Sequence, residues 1–367
     1  MNDKLVMEFD ITTIQHLGVK LYTRLYSVLA ELIANAWDAD ATEVKILLND
    51  TDKKKKVLIV EDNGNGMLFD EINNHFLLVG RNRRIENLSL FEEQLNDNSK
   101  KNGRKVIGKK GVGKLAVFGI ADKITVNTIK DGEENEFTMR LSEIEKQNGS
   151  KTYEPKVLKK NKKTDKSNGT KIILEDIKRT SGFDSDKLGI QLAKMFSIFT
   201  NKNEINEKIK FYVEIIHNSE SPFILTNELK YKSLSSKAEF SWNFPDDFKE
   251  KCKEMSYAND KNITGTIYTS EKPLNGNETG IVLYSRGKLV ENNTFFSNRA
   301  NDFVHAYMTG YFHVNFVDEE KKDLISTDRN FMIFSKIFFP SSSLEDNIPL
   351  TFSKTKYFGL YLSKNCR

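Results

Sequence analysis

The stretch GKKGVGKLAVFGIADKITV, residues 108–126, decides how the chain is read. Its first seven residues fit the phosphate-loop pattern G-x-x-x-x-G-K, with Gly108, Gly113 and Lys114 in register. A true phosphate loop needs Ser or Thr directly after the lysine, because that hydroxyl ligates magnesium. Leu115 stands there instead, and no magnesium-binding aspartate is evident at the end of a later apolar strand. What remains is Gly108, Gly111 and Gly113 ahead of a short helix, VGKLAVFGIA, and a strand, KITVNTI. Backbone N–H groups at a helix start form an anion site by geometry and dipole.

Working upstream, ELIANAWDAD (31–40) falls in a helix predicted from about His16 to Ala36, where Leu21, Leu25, Val28, Leu29, Leu32 and Ile33 recur every three to four residues. Glu31 and Asn35 are four apart and therefore share one face of it. A carboxylate so placed can orient and deprotonate a water, and an amide oxygen can ligate magnesium held by substrate phosphates. Taken alone, the pair reads better as polar decoration of a solvated face. Further on, VEDNGNGM (60–67) puts Asp62, Gly64 and Gly66 at D-x-G-x-G spacing after an apolar strand. A strand-end carboxylate can accept a hydrogen bond from an exocyclic amino group such as adenine's, and the glycines allow a tight turn and a closely stacked flat base. By itself DNG is also a common turn. Gly169 and Thr170 head another strand, NGTKIILED (168–176).

These four motifs in this order, E-x-x-x-N, D-x-G-x-G, G-x-x-G-x-G and G-T, resemble those of the GHKL ATPases: gyrase B, the heat-shock-ninety chaperones, histidine kinases, MutL and the MORC proteins. The likeness runs from about residue 16 to 218. It implies an α+β fold of the Bergerat type, a mixed sheet with helices on one face and ATP between them. It further implies Glu31 as general base, Asn35 as magnesium ligand and Asp62 as adenine reader. Gly64, Gly66 and Met67 would line the base, Gly108, Gly111, Val112 and Gly113 would cradle phosphates, and Thr170 would join the network around Asp62. Lys114 is a possible phosphate contact, and Arg81, Arg83 and Arg84 either touch phosphate or are solvated. Residues 81–107, which lose periodicity, would be the lid, and residues 1–15 an exchange segment of an ATP-dependent homodimer.

The second half, with TGTIYTS (264–270), TGIVLYSRGKLV (279–290) and GYFHVNFVDEEKKDLISTDRNF (310–331), resembles the S5-like transducer or middle domain of the same superfamily. The break is placed at SESPF, giving domains 1–217 and 218–367. Two cations compete for the terminal phosphate, Arg329 in DLISTDRNF and Lys288 in RGK. For Arg329 a surface ion pair with Asp323 or Asp328 is the equal alternative.

Composition sets the outer bounds. Charged residues make up 29% of the 367, and no run of about 18 apolar residues exists, so no membrane span is expected. The N-terminus MNDKLVMEFD lacks a signal-peptide pattern, and Cys252 and Cys366 read as free thiols, which together point to the cytoplasm. Net charge is +4, too small to demand a nucleic-acid partner, and the lysine runs at 52–56, 103–110 and 159–166 read as solvated loops before phosphate tracks. The whole resembles most the prokaryotic MORC-like and heat-shock-ninety-like ATPases. The analogy extends to an ATP-driven clamp in a defence or DNA-associated system, with an effector protein as possible partner. An ATP-gated scaffold and a chaperone-like protein are the alternatives.

Overall fold

The computed structural model describes residues 7–8, 24–78, 98–99, 102–108, 113–146, 152–200, 210–231, 238–248, 261–274, 278–294 and 306–319. The chain forms two compact units, Met1–Leu229 and Lys230–Arg367. The short strand β10 (Phe223–Ile224) pairs with β9 (Tyr212–His217), so the first unit runs past SESPF.

The first unit is built on an eight-stranded sheet in the order β10-β9-β2-β3-β8-β4-β5-β7. Its remaining strands are β2 (Glu43–Asn49), β3 (Val57–Asp62), β4 (Ala121–Lys130), β5 (Glu133–Arg140), β7 (Lys156–Lys163) and β8 (Gly169–Ile177). Only β2 and β9 pair in parallel; the other neighbours are antiparallel. A separate two-stranded pair joins β1 (Met7–Glu8) to β6 (Thr152–Tyr153). Helices α1 (Leu25–Asp38) and α3 (Ser185–Met195) are longer than α2 (Leu141–Lys146). The stretch LFDEINNHFLLVG, whose apolar periodicity predicts a helix, contains a single α-turn, Phe69–Glu71, continued by a π-turn, Ile72–Phe76.

Alternation along the strands divides the sheet into two unlike faces. Val44, Ile46, Leu48, Leu58, Val60, Ile124, Val126 and Leu174 are buried in one core with Val28, Leu29, Leu32, Ile33 and Ala36 of α1. The opposite face carries a row of alternating charge from β9 to β7: Glu214, Lys45, Glu61, Lys171, Asn127, Glu136 and Lys159 stand on successive strands. Lys45 lies 3.9 Å from Glu214, Lys171 3.4 Å from Glu61, and Asn127 donates to Glu136 at 2.8 Å.

The lysine run 159–166, which the sequence reads as a solvated loop, belongs in large part to a strand. KVLKKNKK is β7, the edge strand of the large sheet. Lys159 and Lys163 pair with Glu134 and Glu133 of β5, while the free edge of β7 is guarded by lysines that would oppose pairing with another chain.

The second unit contains a five-stranded sheet in the order β11-β12-β15-β13-β14, made of β11 (Ala238–Phe244), β12 (Thr264–Ser270), β13 (Gly280–Ser285), β14 (Lys288–Thr294) and β15 (Met308–His313). TGIVLYSRGKLV is the β13–β14 hairpin. Arg286 at φ 51° and Gly287 at φ 78° form its two-residue turn, the positive-φ geometry that matches strand twist. Among the described residues no helix is long and apolar enough to cross a membrane.

Candidate functional site

Helix α1 is built from ELIANAWD and its neighbours, free of Gly and Pro, and it is sunk into the core on nearly all sides. Residues 28–30, 32–34 and 36–38 are all buried. What stays accessible is the stripe Glu31, Asn35 and Ala39, spaced i, i+4, i+8, with Asn35 exposed and the other two half-buried.

The stripe ends on the D-x-G-x-G turn. The Ala39 carbonyl accepts the Asn65 amide at 2.8 Å, and a Cβ on Gly64 would stand 2.7 Å from that same Ala39 oxygen. Gly66 has φ +64° and a Cβ there would fall 1.9 Å from the Ile129 carbonyl oxygen. Both glycines thus have a requirement internal to the fold, the close approach of the turn to α1 and to β4, before any ligand is considered.

Asp62 closes β3 and faces the helical side, opposite Thr170 of β8. The residue keeps some exposure, yet its carboxylate is enclosed. Burial pushes the carboxyl up to about 6, against the pull of the Gly64 amide at 2.9 Å and the Thr170 amide. Glu61 next to it raises the value further. Gly169 lets β8 approach, since a Cβ there would lie 2.3 Å from the Asp62 carbonyl oxygen.

Thr128 is a residue that sequence reading missed. It is fully buried; its Oγ1 accepts the Met67 amide at 2.9 Å and lies 3.2 Å from Thr170 Oγ1. It links Met67, Thr170 and the Gly169 carbonyl (3.3 Å) into one network. Its only sequence signal is a threonine in the inward register of β4, after Ile124 and Val126.

On the other side of α1, Gly108 lies at the end of the described segment 102–108, and Gly113 opens the 3-10 helix Gly113–Gly119. Gly111, Val112, Arg81, Arg83, Arg84, Arg329, residues 81–97 of the expected lid and nearly all of the expected exchange segment lie outside the described residues, as does the Lys114 side chain. Lys288, the rival cation, is the first residue of β14 in the second unit, with only 2% of its surface exposed.

An enclosed carboxylate beside two hydroxyls suits a planar ring that presents an amino group. A stripe carrying one carboxylate and one amide oxygen suits a hydrated divalent cation held mainly by a ligand's phosphates. The donor set therefore fits a purine nucleotide with its metal. A groove of about 350 Å³ also touches Asp62 and Thr170, but it opens mainly among Lys45, Glu61, Asn127 and Lys171 of the charged face. It belongs to that face and not to the stripe.

Comparison with known proteins agrees. Residues 22–170 match the family described as histidine kinase-, DNA gyrase B-, and HSP90-like ATPase. The chain is 30% identical over 347 residues to the protein named "Putative type II restriction enzyme HgiDII" of Herpetosiphon aurantiacus, covering 88% of this chain and 51% of that one. It is 30% identical over 247 residues to the chaperone protein HtpG of Fusobacterium nucleatum, covering 61% of this chain and 37% of the chaperone. Against HtpG of Bacillus velezensis the figures are 36% over 123 residues, 29% and 18%. The chain thus spans about half the length, or less, of these relatives. Residues 22–170 thus form a domain of the histidine kinase-, DNA gyrase B- and HSP90-like ATPase type.

Proposed function

We propose that the chain binds ATP with magnesium and hydrolyses it at the α1 stripe. The observation that carries this reading is the pairing of the Glu31–Asn35–Ala39 stripe with the enclosed Asp62 carboxylate at its end. Asp62 accepts the adenine amino group, with Thr170 and Thr128 fixing its surroundings, and Gly64, Gly66 and Met67 flank the base. Asn35 holds the metal from the protein side. Glu31 orients the attacking water and takes its proton. Magnesium, when bound, offsets the charge of the phosphates. Gly111, Val112, Gly113 and Lys114 are assigned to the phosphates by resemblance, and either Arg329 or Lys288 to the terminal one.

The second unit is read as the transducer, and nucleotide-driven lid closure and homodimerisation as the output, in the cytoplasm. The likeness to a protein named as a restriction enzyme favours a DNA-associated or defence setting, with an effector protein as a possible partner. The likeness to HtpG favours a chaperone-like output, and suppression of aggregation of a model client by the whole chain separates the two.

The decisive test is Glu31→Ala in the full chain. ATP binding should persist while turnover falls by about 10²-fold or more. Turnover at the unmodified rate would remove Glu31 from the role of base.

A further inference from the structure

The residues at the end of α1 and just beyond it, Trp37-Asp38-Ala39-Asp40-Ala41, hold the segment that leads into the glycine loop. The Trp37 ring N–H donates to the Lys105 carbonyl at 2.9 Å. Asp40 accepts the Asn102 amide at 3.1 Å, and the Ala41 carbonyl accepts Arg104 Nη2 at 2.6 Å. The Arg104 guanidinium lies 4.3 Å from the Trp37 ring centroid. Ala39 faces the other way, to Asn65.

Asp38 makes the link nearest the glycine loop. Its Oδ1 accepts the Ile107 amide at 2.7 Å and its Oδ2 the Gly108 amide at 2.8 Å. Two successive backbone N–H groups converging on one carboxylate form an anion nest whose anion is part of the protein. The absence of a side chain on Gly108 has the same origin, because a Cβ there would stand 2.6 Å from Asp38 Oδ2.

We propose that Asp38 is a positioning residue for the phosphate side of the site. Gly108 serves phosphate binding through Asp38 rather than through its own N–H. The helix that carries Glu31 and Asn35 thereby sets the direction in which the chain enters the glycine loop. This rests on the nucleotide reading above. It also reassigns Gly108, which the family pattern places against phosphate.

The test compares ATP with magnesium against adenosine, by titration calorimetry on the whole chain. Adenosine reports the base side, while the excess affinity of ATP reports the phosphate side. Asp38→Asn turns one acceptor into an N–H that faces an N–H, so the ATP-to-adenosine affinity ratio should fall about tenfold or more. Adenosine affinity should stay unchanged, and amide exchange at Ile107 and Gly108 should quicken. A merely structural role would lower both affinities together. Gly108→Ala should lower the ratio in the native background and do little in Asp38→Ala, where the obstructing carboxylate is gone. An unchanged ratio in Asp38→Asn, or additive effects of the Asp38→Ala and Gly108→Ala pair, overturns the assignment of Asp38. Failure of ATP to bind the unmodified chain overturns the nucleotide reading itself, and Asp38's role with it.

Discussion

The β2–β3 ribbon carries an aspartate at each end, and the two ends treat charge in opposite ways. At the end where β2 finishes, Asp50 accepts the Phe183 amide at 2.7 Å, the Asn218 side-chain amide at 2.9 Å and the His217 ring at 2.8 Å. Burial works against its charge, yet these partners together hold the carboxyl down at about 2. Lys56, at the start of β3, is buried and gives its ammonium to three successive carbonyls, those of Arg179, Thr180 and Ser181, at 3.0, 2.6 and 2.8 Å. At the other end Asp62 has two amides, and no cation pairs with it among the described residues. One end uses buried charge to pin a loop. The other leaves a carboxylate enclosed and under-compensated, the condition expected of a group that awaits a ligand.

Substitutions can break this contrast, and the largest effect falls on the structural end. Lys56→Met should destabilise the fold by about 3–5 kcal/mol, because three charge-assisted hydrogen bonds to one buried cation are lost together. Chemical denaturation should show the loss, while nucleotide affinity of the folded fraction should hold. Asp62→Asn should act in the reverse sense. Because the folded carboxyl titrates above its unfolded value, ionising it costs stability, a cost absent below about 3.8 and complete above about 6. At pH 7 the variant should therefore be more stable by about 2 kcal/mol, an advantage that vanishes on acidification below pH 4. It should also lose adenosine binding by about tenfold or more, so melting and calorimetry would move in opposite directions. Asp50→Asn should cost about 1–2 kcal/mol at neutral pH once solvent screening is allowed for. Here the folded value lies below the unfolded one. The stabilisation is present above about 3.8 and disappears as pH falls through about 2, so denaturation midpoints of variant and parent should converge in acid.

The parts of the site that could be read from sequence are those whose partners are near in sequence or whose spacing is periodic. The Glu31–Asn35 stripe follows from helical period, and Asp62, Gly64 and Gly66 from a compact turn. Thr128 could not be picked out, because its partners Met67 and Thr170 reach it only through the β4–β8 pairing and the turn beyond β3. Asp38 lies 69 and 70 residues from the amides it holds. Lys56 is the last of four lysines in DKKKK; the three before it are exposed, and nothing local distinguishes the one that is buried. KVLKKNKK lacks the alternation by which a strand is recognised, because an edge strand facing water on both sides has no apolar face to declare. The turn after helix α1 has Asp40 at φ 62°, where glycine is usual, with Ala41 N–H bonded to the Ala36 carbonyl at 3.0 Å and Asp40 N–H to that of Trp37 at 3.1 Å. That aspartate is explained by Asn65, Asn102 and Arg104, none of them near it in sequence.

The charged face of the large sheet gives the smallest expected effect, and it sharpens the contrast by supplying its baseline. Lys171 stands between Glu61 and Asn127 in the alternating row and lies 3.4 Å from Glu61, with 39% of its side chain and 47% of its partner's exposed to water. Two charges that keep much of their hydration gain little from meeting, and salt screens what remains. Lys171→Ala should therefore change stability by less than about 0.5 kcal/mol, and 0.5 M salt should erase the difference. Yet Lys171 directly follows Thr170, whose amide supports Asp62 on the opposite face. If the sheet separates its faces as strand alternation requires, adenosine affinity in Lys171→Ala should match the parent. A measurable loss would mean that the charged row tunes Asp62 through the strand, and that the row is part of the site rather than its solvated back.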